Sequence, residues 1–253
     1  MGLHMAVILV SNDDGYKAKG INTLVSSVQN LGEVYVFAPD SQRSASSHAF
    51  SLHSGIHFHR ISDRVYITDG TPTDCVLFAV RGLMDKRPDI VLGGINHGGN
   101  LGEDITYSGT VAVAIEGIIL GIPSIAFSYV EYEDDPDLEF SGKVARWLTG
   151  KVLEIGLPKG ILLNVNIPKN PNGKIKITRL GKRIYRDSVV EKILDNGERI
   201  YTIGGEPPTW IREEGTDFDA IEKGYVSITP IHLRWTDFTM IRKLRFLEDE
   251  FKI

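Results

Sequence analysis

The chain has 253 residues, 42% hydrophobic and 24% charged, a globular composition that excludes disorder and collagen-like repeats and gives length for one sizeable core or two small ones. Lys plus Arg number 28 against 33 Asp plus Glu. The resulting net charge of −5 excludes a surface-wide positive field for nucleic acid, so a phosphate-bearing ligand must be held by a local device. One cysteine, Cys75, excludes an internal disulfide and a cysteine-rich metal site, and it reads as a buried small hydrophobe. No apolar run reaches membrane-spanning length, and the first five residues have neither the basic nor the apolar region of a signal peptide. The expectation is a cytoplasmic protein with no membrane or nucleic-acid partner.

In chain order, Ala6–Val10 is a continuous β-branched run that predicts a buried strand. Ile21, Leu24, Val25, Val28 and Leu31 then recur at helical spacing, with Gly32 as the stop. Val34–Pro39 is a second short strand, and together these form a βαβ unit. Val65–Thr68 is a further strand, and Thr71-Pro72-Thr73-Asp74 starts a helix with an N-cap, a proline at the first position and an acid at the third. Asp89–Asn96 predicts another buried strand, Val111–Leu120 an apolar helix and Ser124–Tyr129 a strand. A helix through Val144, Trp147, Leu148 and Leu153 and a strand over Ile161–Pro168 complete this series. Strands that are apolar throughout, separated by helices, imply a doubly wound, mostly parallel α/β sheet covered on both faces.

The character changes near residue 169, which divides the expected catalytic core, 1–168, from a C-terminal extension, 169–253, that partly completes it. Lys174–Leu180 alternates, Asn196-Gly197 marks an antiparallel hairpin, and Pro207-Pro208 is read as a chain break. Trp235, Phe238, Met240, Ile241, Leu244 and Leu247 predict an amphipathic helix that needs a surface to lie on, most simply a second subunit.

Ligands of open α/β sheets bind beyond the carboxyl ends of the strands, and four loops there are unusual. Asn12-Asp13-Asp14-Gly15 sets two acids side by side after an apolar strand. A hard divalent cation relieves their repulsion, although an Asx turn also accommodates the pattern. Asp40–His48 combines hydroxyls with Arg43 and Ser44, which suits phosphate, although taken alone the pattern is more often that of a solvated loop. Gly93–Gly102 holds five glycines around Asn96, His97, Gly98 and Asn100. It reads as an anion nest of backbone amides with amide oxygens for a metal. Ser108-Gly109-Thr110 opens the Val111 helix, where free N–H groups and hydroxyls bind phosphate without net positive charge. His53, His57 and His59 read as one face of an exposed strand, whereas His48 and His97 are acid–base candidates. Asp69-Gly70-Thr71 resembles part of a phosphatase signature, but helix capping already accounts for it.

Taken in order, the strings VSNDDG, FAPDSQRSASS, DGTPTDCV, PDIVLGGINHGGNLGEDITYSGTVAVAIEG and GIPSIAFS resemble the SurE family, survival-protein phosphatases that act as metal-dependent 5′-nucleotidases. The resemblance is close over roughly the N-terminal half and general in character from about Lys169. It implies a Rossmann-like core with one divalent cation per subunit, Mg²⁺ or Mn²⁺, held by Asp13, Asp14, Ser44 and Asn96. It places phosphate against Asn12, Asn100, Ser108, Gly109 and Thr110, with Arg43, Ser44 and Gly98 beside it. It also implies a homodimer or homotetramer formed by exchange of the C-terminal extension. Nucleoside 5′-monophosphates are the implied substrates, with 3′-nucleotides and short polyphosphate as further ones. The chain departs from the family pattern at Ala45, where glycine is usual, at Phe50-Ser51 in place of a threonine, and at Tyr16–Gly20, where His and Pro are common.

The expected chemistry is in-line attack of water on phosphorus, with Asn12, Asp13, Asp14 and His97 as catalytic residues. Asp14 orients the water, and His48 or His97 protonates the leaving alcohol. A haloacid-dehalogenase-type phosphatase would need its nucleophilic aspartate where Asn12 stands. A non-catalytic nucleotide-binding regulator on the same core is the other alternative.

Overall fold

The computed structural model describes residues 5–53 and 55–251; the first four residues, part of the stretch read for a signal peptide, lie outside them. Ala6–Ser11 (β1) is apolar from Ala6 to Val10 because it is covered twice. Ile8 and Val10 pack with Ile21, Leu24 and Val28 of the helix Lys19–Val28 (α1). Val7 and Leu9 point the other way, toward Cys75 and Val76. Successive side chains of a strand leave opposite faces, so a strand between two helical layers cannot alternate in polarity.

The remaining elements follow the same logic. Gly32–Pro39 (β2) returns parallel to β1, with Gly32 inside the strand rather than ending the helix. Phe58–Ser62 (β3) and Val65–Thr68 (β4) form a hairpin on the far edge. β3 begins only at Phe58, so His53 and His57 lie outside it. His57 instead bonds Asp69, through its own N–H and through Nδ1, at 2.9 Å each. Pro72–Phe78 (α2) carries the expected capping box. Thr71 accepts from the Asp74 N–H, and the Asp74 carboxylate accepts from the Thr71 N–H.

Ile90–His97 (β5), Gly109–Ile119 (α3), Ser124–Tyr129 (β6), Glu139–Ile155 (α4) and Ile161–Ile167 (β7) continue the winding. The glycine-rich loop between β5 and α3 contains one 3₁₀ turn, Gly102–Thr106. The α1 backbone approaches β5 so closely that a Cβ on Gly20 would sit 1.9 Å from the Ile95 carbonyl oxygen.

The tail is partly built into this sheet. Ile175–Ile177 (β8) and Val226–His232 (β11) join it, β11 antiparallel to β7 and parallel to β8. The complete order is β3-β4-β2-β1-β5-β6-β7-β11-β8, parallel from β4 to β7. The Asn196-Gly197 signal does mark a hairpin, between Arg183–Ile193 (β9) and Arg199–Trp210 (β10). Pro207-Pro208 does not break it. β10 runs through both prolines to Trp210 and absorbs them as a register shift between Glu206 and Thr209. Asp217–Glu222 (α5) precedes β11. The amphipathic end forms two short helices, Phe238–Leu244 (α6) and Phe246–Glu250 (α7), with Phe238, Ile241, Leu244 and Leu247 exposed. Among the described residues, no helix is long and apolar enough to cross a membrane.

Candidate active site

β1 lies between β2 and β5, so the chain leaves the carboxyl ends of these neighbours in opposite directions and opens a crevice there. The loops after β1, β2 and β5 and the start of α3 meet in that crevice. Asp13 is 4% exposed; its Oδ1 accepts from the Thr110 hydroxyl at 2.5 Å. The same hydroxyl lies 3.3 Å from Asn96 Oδ1, so Asp13 and Asn96 present oxygens to one point. Asn96 reaches it from the end of β5, where pairing with β6 slips between Gly93 and Asn96 and re-aims the strand. Its Nδ2 donates to the Gly98 carbonyl at 2.8 Å, which fixes the amide oxygen toward Thr110.

Burial raises the Asp13 pKa to about 6, and the neighbouring Asp14 charge adds to the shift against the Thr110 hydrogen bond. Burial also raises Asp14, whose Oδ2 accepts from the His97 N–H at 3.3 Å. A buried and a half-buried carboxylate side by side with an amide oxygen form a hard donor set, the kind Mg²⁺ and Mn²⁺ prefer. No group of three His, Cys, Asp or Glu forms a metal cluster among the described residues, so neutral oxygens must complete any set here. The residues fit a hard divalent cation on this chemistry.

Ser44 stands apart. It is exposed, and its hydroxyl accepts from Gln42 Nε2 at 2.8 Å. Its loop is nonetheless tied to the site, because the Arg43 N–H donates to the Asp13 carbonyl at 2.7 Å. Arg43 Nη2 reaches back to the Asp69 carbonyl at 2.9 Å. Asn12 is fully buried; Nδ2 braces the Gly15 carbonyl at 2.9 Å, and Oδ1 has no partner among the described residues.

The expected nest of amides is differently used. The Gly98 N–H donates to the Tyr129 carbonyl, and the Asn100 N–H to Asn166 Oδ1, both at 2.8 Å. Asn100 Nδ2 donates to Ser128, and the Asn100 carbonyl accepts from Asn164 and Asn166. Both amides are therefore committed inside the protein and brace the loop. His97 accepts the Glu133 N–H at Nε2, at 2.8 Å, which puts the proton of its neutral ring on Nδ1.

At the start of α3, Ser108 caps the Val111 N–H at 3.0 Å and its carbonyl accepts from Ala112. Gly109 and Thr110 supply the remaining helix-start amides. Glycine is required at 109, because a Cβ there would lie 2.7 Å from Asp13 Cβ and 2.8 Å from both Asp13 Oδ2 and Ser46 Oγ.

That last contact identifies a residue the sequence reading passed over. Ser46 Oγ is buried, has no partner among the described residues, and faces the same point above Gly109 as Asp13. Its neighbours Ala45 and Ser47 both hold left-handed backbones, φ 56° and 51°, a cost of about 1 kcal/mol or more each for a side chain. The usual glycine at position 45 is thereby explained. Ser47 is held by its N–H to the Tyr107 carbonyl, and His48 by Nε2 to the buried Glu116 of α3 at 2.9 Å. The alternation of hydroxyls in Ser44-Ala45-Ser46 was the available signal for Ser46.

Comparison with known proteins agrees with this geometry. The profile of the family described as Survival protein SurE matches residues 8–187. The 5′-nucleotidase SurE of Pelobacter propionicus is 44% identical over 238 residues, covering 93% of this chain and 96% of that protein. The 5′-nucleotidase SurE of Aquifex aeolicus is 45% identical over 250 residues, covering 97% and 99%. The crystal structure of the SurE protein from Aquifex aeolicus superposes with a TM-score of 0.86, covering 96% of this chain and all of that one. The α/β core, its strand-end loops and these full-length relatives together make the chain a member of the SurE family.

Proposed function

We propose that the chain is a phosphoric monoester hydrolase that cleaves nucleoside 5′-monophosphates with the help of one divalent cation, Mg²⁺ or Mn²⁺. The observation that carries this reading is the convergence of Asp13 and Asn96 oxygens on Thr110 at the start of α3, with Asp14 adjoining. The names of its relatives support the nucleotide specificity. Asp13, Asp14 and Asn96 would hold the cation, with the Ser44 hydroxyl, here accepting from Gln42, as the further candidate oxygen. When bound, the cation sets positive charge against the phosphate oxygens and acidifies water.

The chain's own groups do the rest. The Gly109 and Thr110 amides and the Ser46 hydroxyl donate to the non-bridging oxygens, where a helix start favours negative charge. Asp14 accepts a hydrogen bond from the attacking water and aligns it opposite the leaving oxygen. The phosphorus–ester bond breaks as the new phosphorus–oxygen bond forms. The water's proton passes to Asp14 and from there to the departing 5′-oxygen, to which the Nδ1–H of His97 donates a hydrogen bond. His48 is engaged with Glu116 and serves to hold the loop.

The exposed apolar residues of α6 and α7 support assembly of two or four copies through the C-terminal extension. Cys75, a buried free thiol whose pKa is raised by burial, suits the reducing cytoplasm. The test is phosphate release from nucleoside 5′-monophosphates, 3′-monophosphates and polyphosphate with Mg²⁺, Mn²⁺ or EDTA. Metal-dependent release from 5′-monophosphates that is abolished in Asp13→Asn is expected, and full turnover by that variant refutes the assignment.

A further inference from the structure

We infer that the cavity shared by Tyr132, Trp210 and Phe218 is the nucleobase subsite of this catalytic centre, an inference that rests on the nucleotidase reading above. The cavity encloses about 540 Å³, within the range of small-ligand sites. One wall is Gly99 and Leu101, from the loop that carries Asn96, so a phosphate held at Asn96 and the α3 start leaves its nucleoside end beside this opening. Tyr132 joins the two places. Its ring lies 5.7 Å from that of His97 and packs where a Cβ on Gly98 would have to go. Burial raises the pKa of its hydroxyl, and the charges of Asp104 and Asp14 add to the shift.

Two features select a flat heterocycle. Trp210 and Phe218 stack with centroids 5.3 Å apart and planes 9° apart, an ordered aromatic wall of the kind on which bases stack. Arg183, paired with Asp104 at 2.6 Å, covers Phe218 at 5.1 Å and fixes that wall in place. Trp210 Nε1 is buried and has no acceptor among the described residues. A buried donor of this kind costs free energy until an acceptor arrives, and the ring nitrogens and carbonyls of nucleobases are such acceptors. The smaller cavity beside Asp14, about 320 Å³, is lined by Asn96 and His97 together with the charged Lys19, Asp134 and Asp135, and its Tyr129 hydroxyl is engaged by Glu133. It offers no stacked aromatic pair.

Trp210→Phe keeps the ring and removes the donor; Trp210→Ala removes both. Steady-state kinetics on adenosine 5′-monophosphate and on ribose 5-phosphate, with adenosine binding by calorimetry, test the assignment. The ratio of the two KM values is expected to rise about five- to tenfold in Trp210→Phe and further in Trp210→Ala, with adenosine affinity falling in step. An unchanged ratio with unchanged adenosine affinity overturns the subsite and leaves the nucleotidase reading standing. Adenosine binding that is weakened by both variants, in a protein that hydrolyses no nucleotide, upholds the subsite and refutes the nucleotidase reading.

Discussion

Asp13→Asn exposes the cost of holding a charge in the crevice. With its pKa raised from 3.8 to about 6, an ionised Asp13 weakens the metal-free fold, because the unfolded chain releases its proton more readily than the folded one. Neither state is ionised below about pH 3.8, so the penalty is absent there. It grows between pH 3.8 and 6 and is complete above 6. The difference, 6 − 3.8 = 2.2 pH units, corresponds to about 3 kcal/mol at pH 7.5 and about half of that at pH 5. Asparagine carries no charge and keeps an oxygen for the Thr110 hydroxyl. In EDTA the variant is therefore expected to unfold about 5 to 10 °C higher than the parent at pH 7.5, with the gap narrowing at pH 5. Adding Mn²⁺ should raise the parent and leave the variant unmoved, since the cation now has one carboxylate instead of two. Thermal unfolding followed by circular dichroism at the two pH values, with and without metal, reads all four quantities. A variant that is less stable than the parent in EDTA at pH 7.5 refutes the reasoning, for it would mean that the Asp13 charge is compensated from within the protein.

Three further expectations follow from the same geometry. Gly109→Ala drives a methyl against Asp13 and Ser46 at the first residue of α3, where alanine is otherwise harmless; phosphate release should fall more than about 100-fold while the unfolding temperature moves by a few degrees. Ser46→Ala removes a buried hydroxyl with no partner among the described residues, so stability should hold or improve by up to about 1 kcal/mol in urea unfolding, while kcat falls about tenfold. Ile241→Asp together with Leu244→Asp charges the exposed face of α6 and should reduce the assembled species to monomer in light scattering behind a sizing column, without loss of secondary structure.

The core was legible because its signals are local. A strand buried on two faces reads as a near-continuous apolar run, as in Ala6–Val10, in Ile90–Leu92 within Asp89–Asn96, and in Ile125–Phe127 within Ser124–Tyr129, and each predicted segment lies within a residue or two of the observed bounds. Thr71 with Asp74, and Asn196 with Gly197, are likewise short-range devices whose residue types admit few alternatives. The tail was less legible. β8 has only three residues, all exposed, and finds its place through β11, a pairing across about fifty residues that no periodicity encodes. Pro207 and Pro208 would stop a central strand, but among the described residues β10 pairs with β9 alone and tolerates missing donors on its open side. In the site, the acids and the helix start were visible as residue types. The use of the glycine loop was not, because it depends on Asn164 and Asn166, two buried amides of β7 that capture Asn100 across more than sixty residues. Ser46 was obscured by Ala45 and Ser47, whose left-handed backbones no residue preference predicts.

The net charge of −5 takes on a definite meaning in this setting. Two carboxylates facing a phosphate about 5 Å away repel each of its charges by about 3 kcal/mol apiece at an effective dielectric constant near 20. Two helix-start amides and one hydroxyl, at about 1 to 3 kcal/mol each toward an anion, do not overcome that in the bare site. Arg43, the nearest guanidinium on these loops, is turned toward the Asp69 carbonyl and Asp40. The acids that suit the crevice to a cation therefore make it hostile to phosphate alone, so substrate affinity and metal affinity are one coupled quantity. A basic pocket would hold phosphate more tightly and without metal, but it would retain inorganic phosphate after cleavage. On the proposed reading the acidic pocket would tie retention of the anion to the cation and limit product hold-up, at the expense of a buried, desolvated Asp13 in the resting protein.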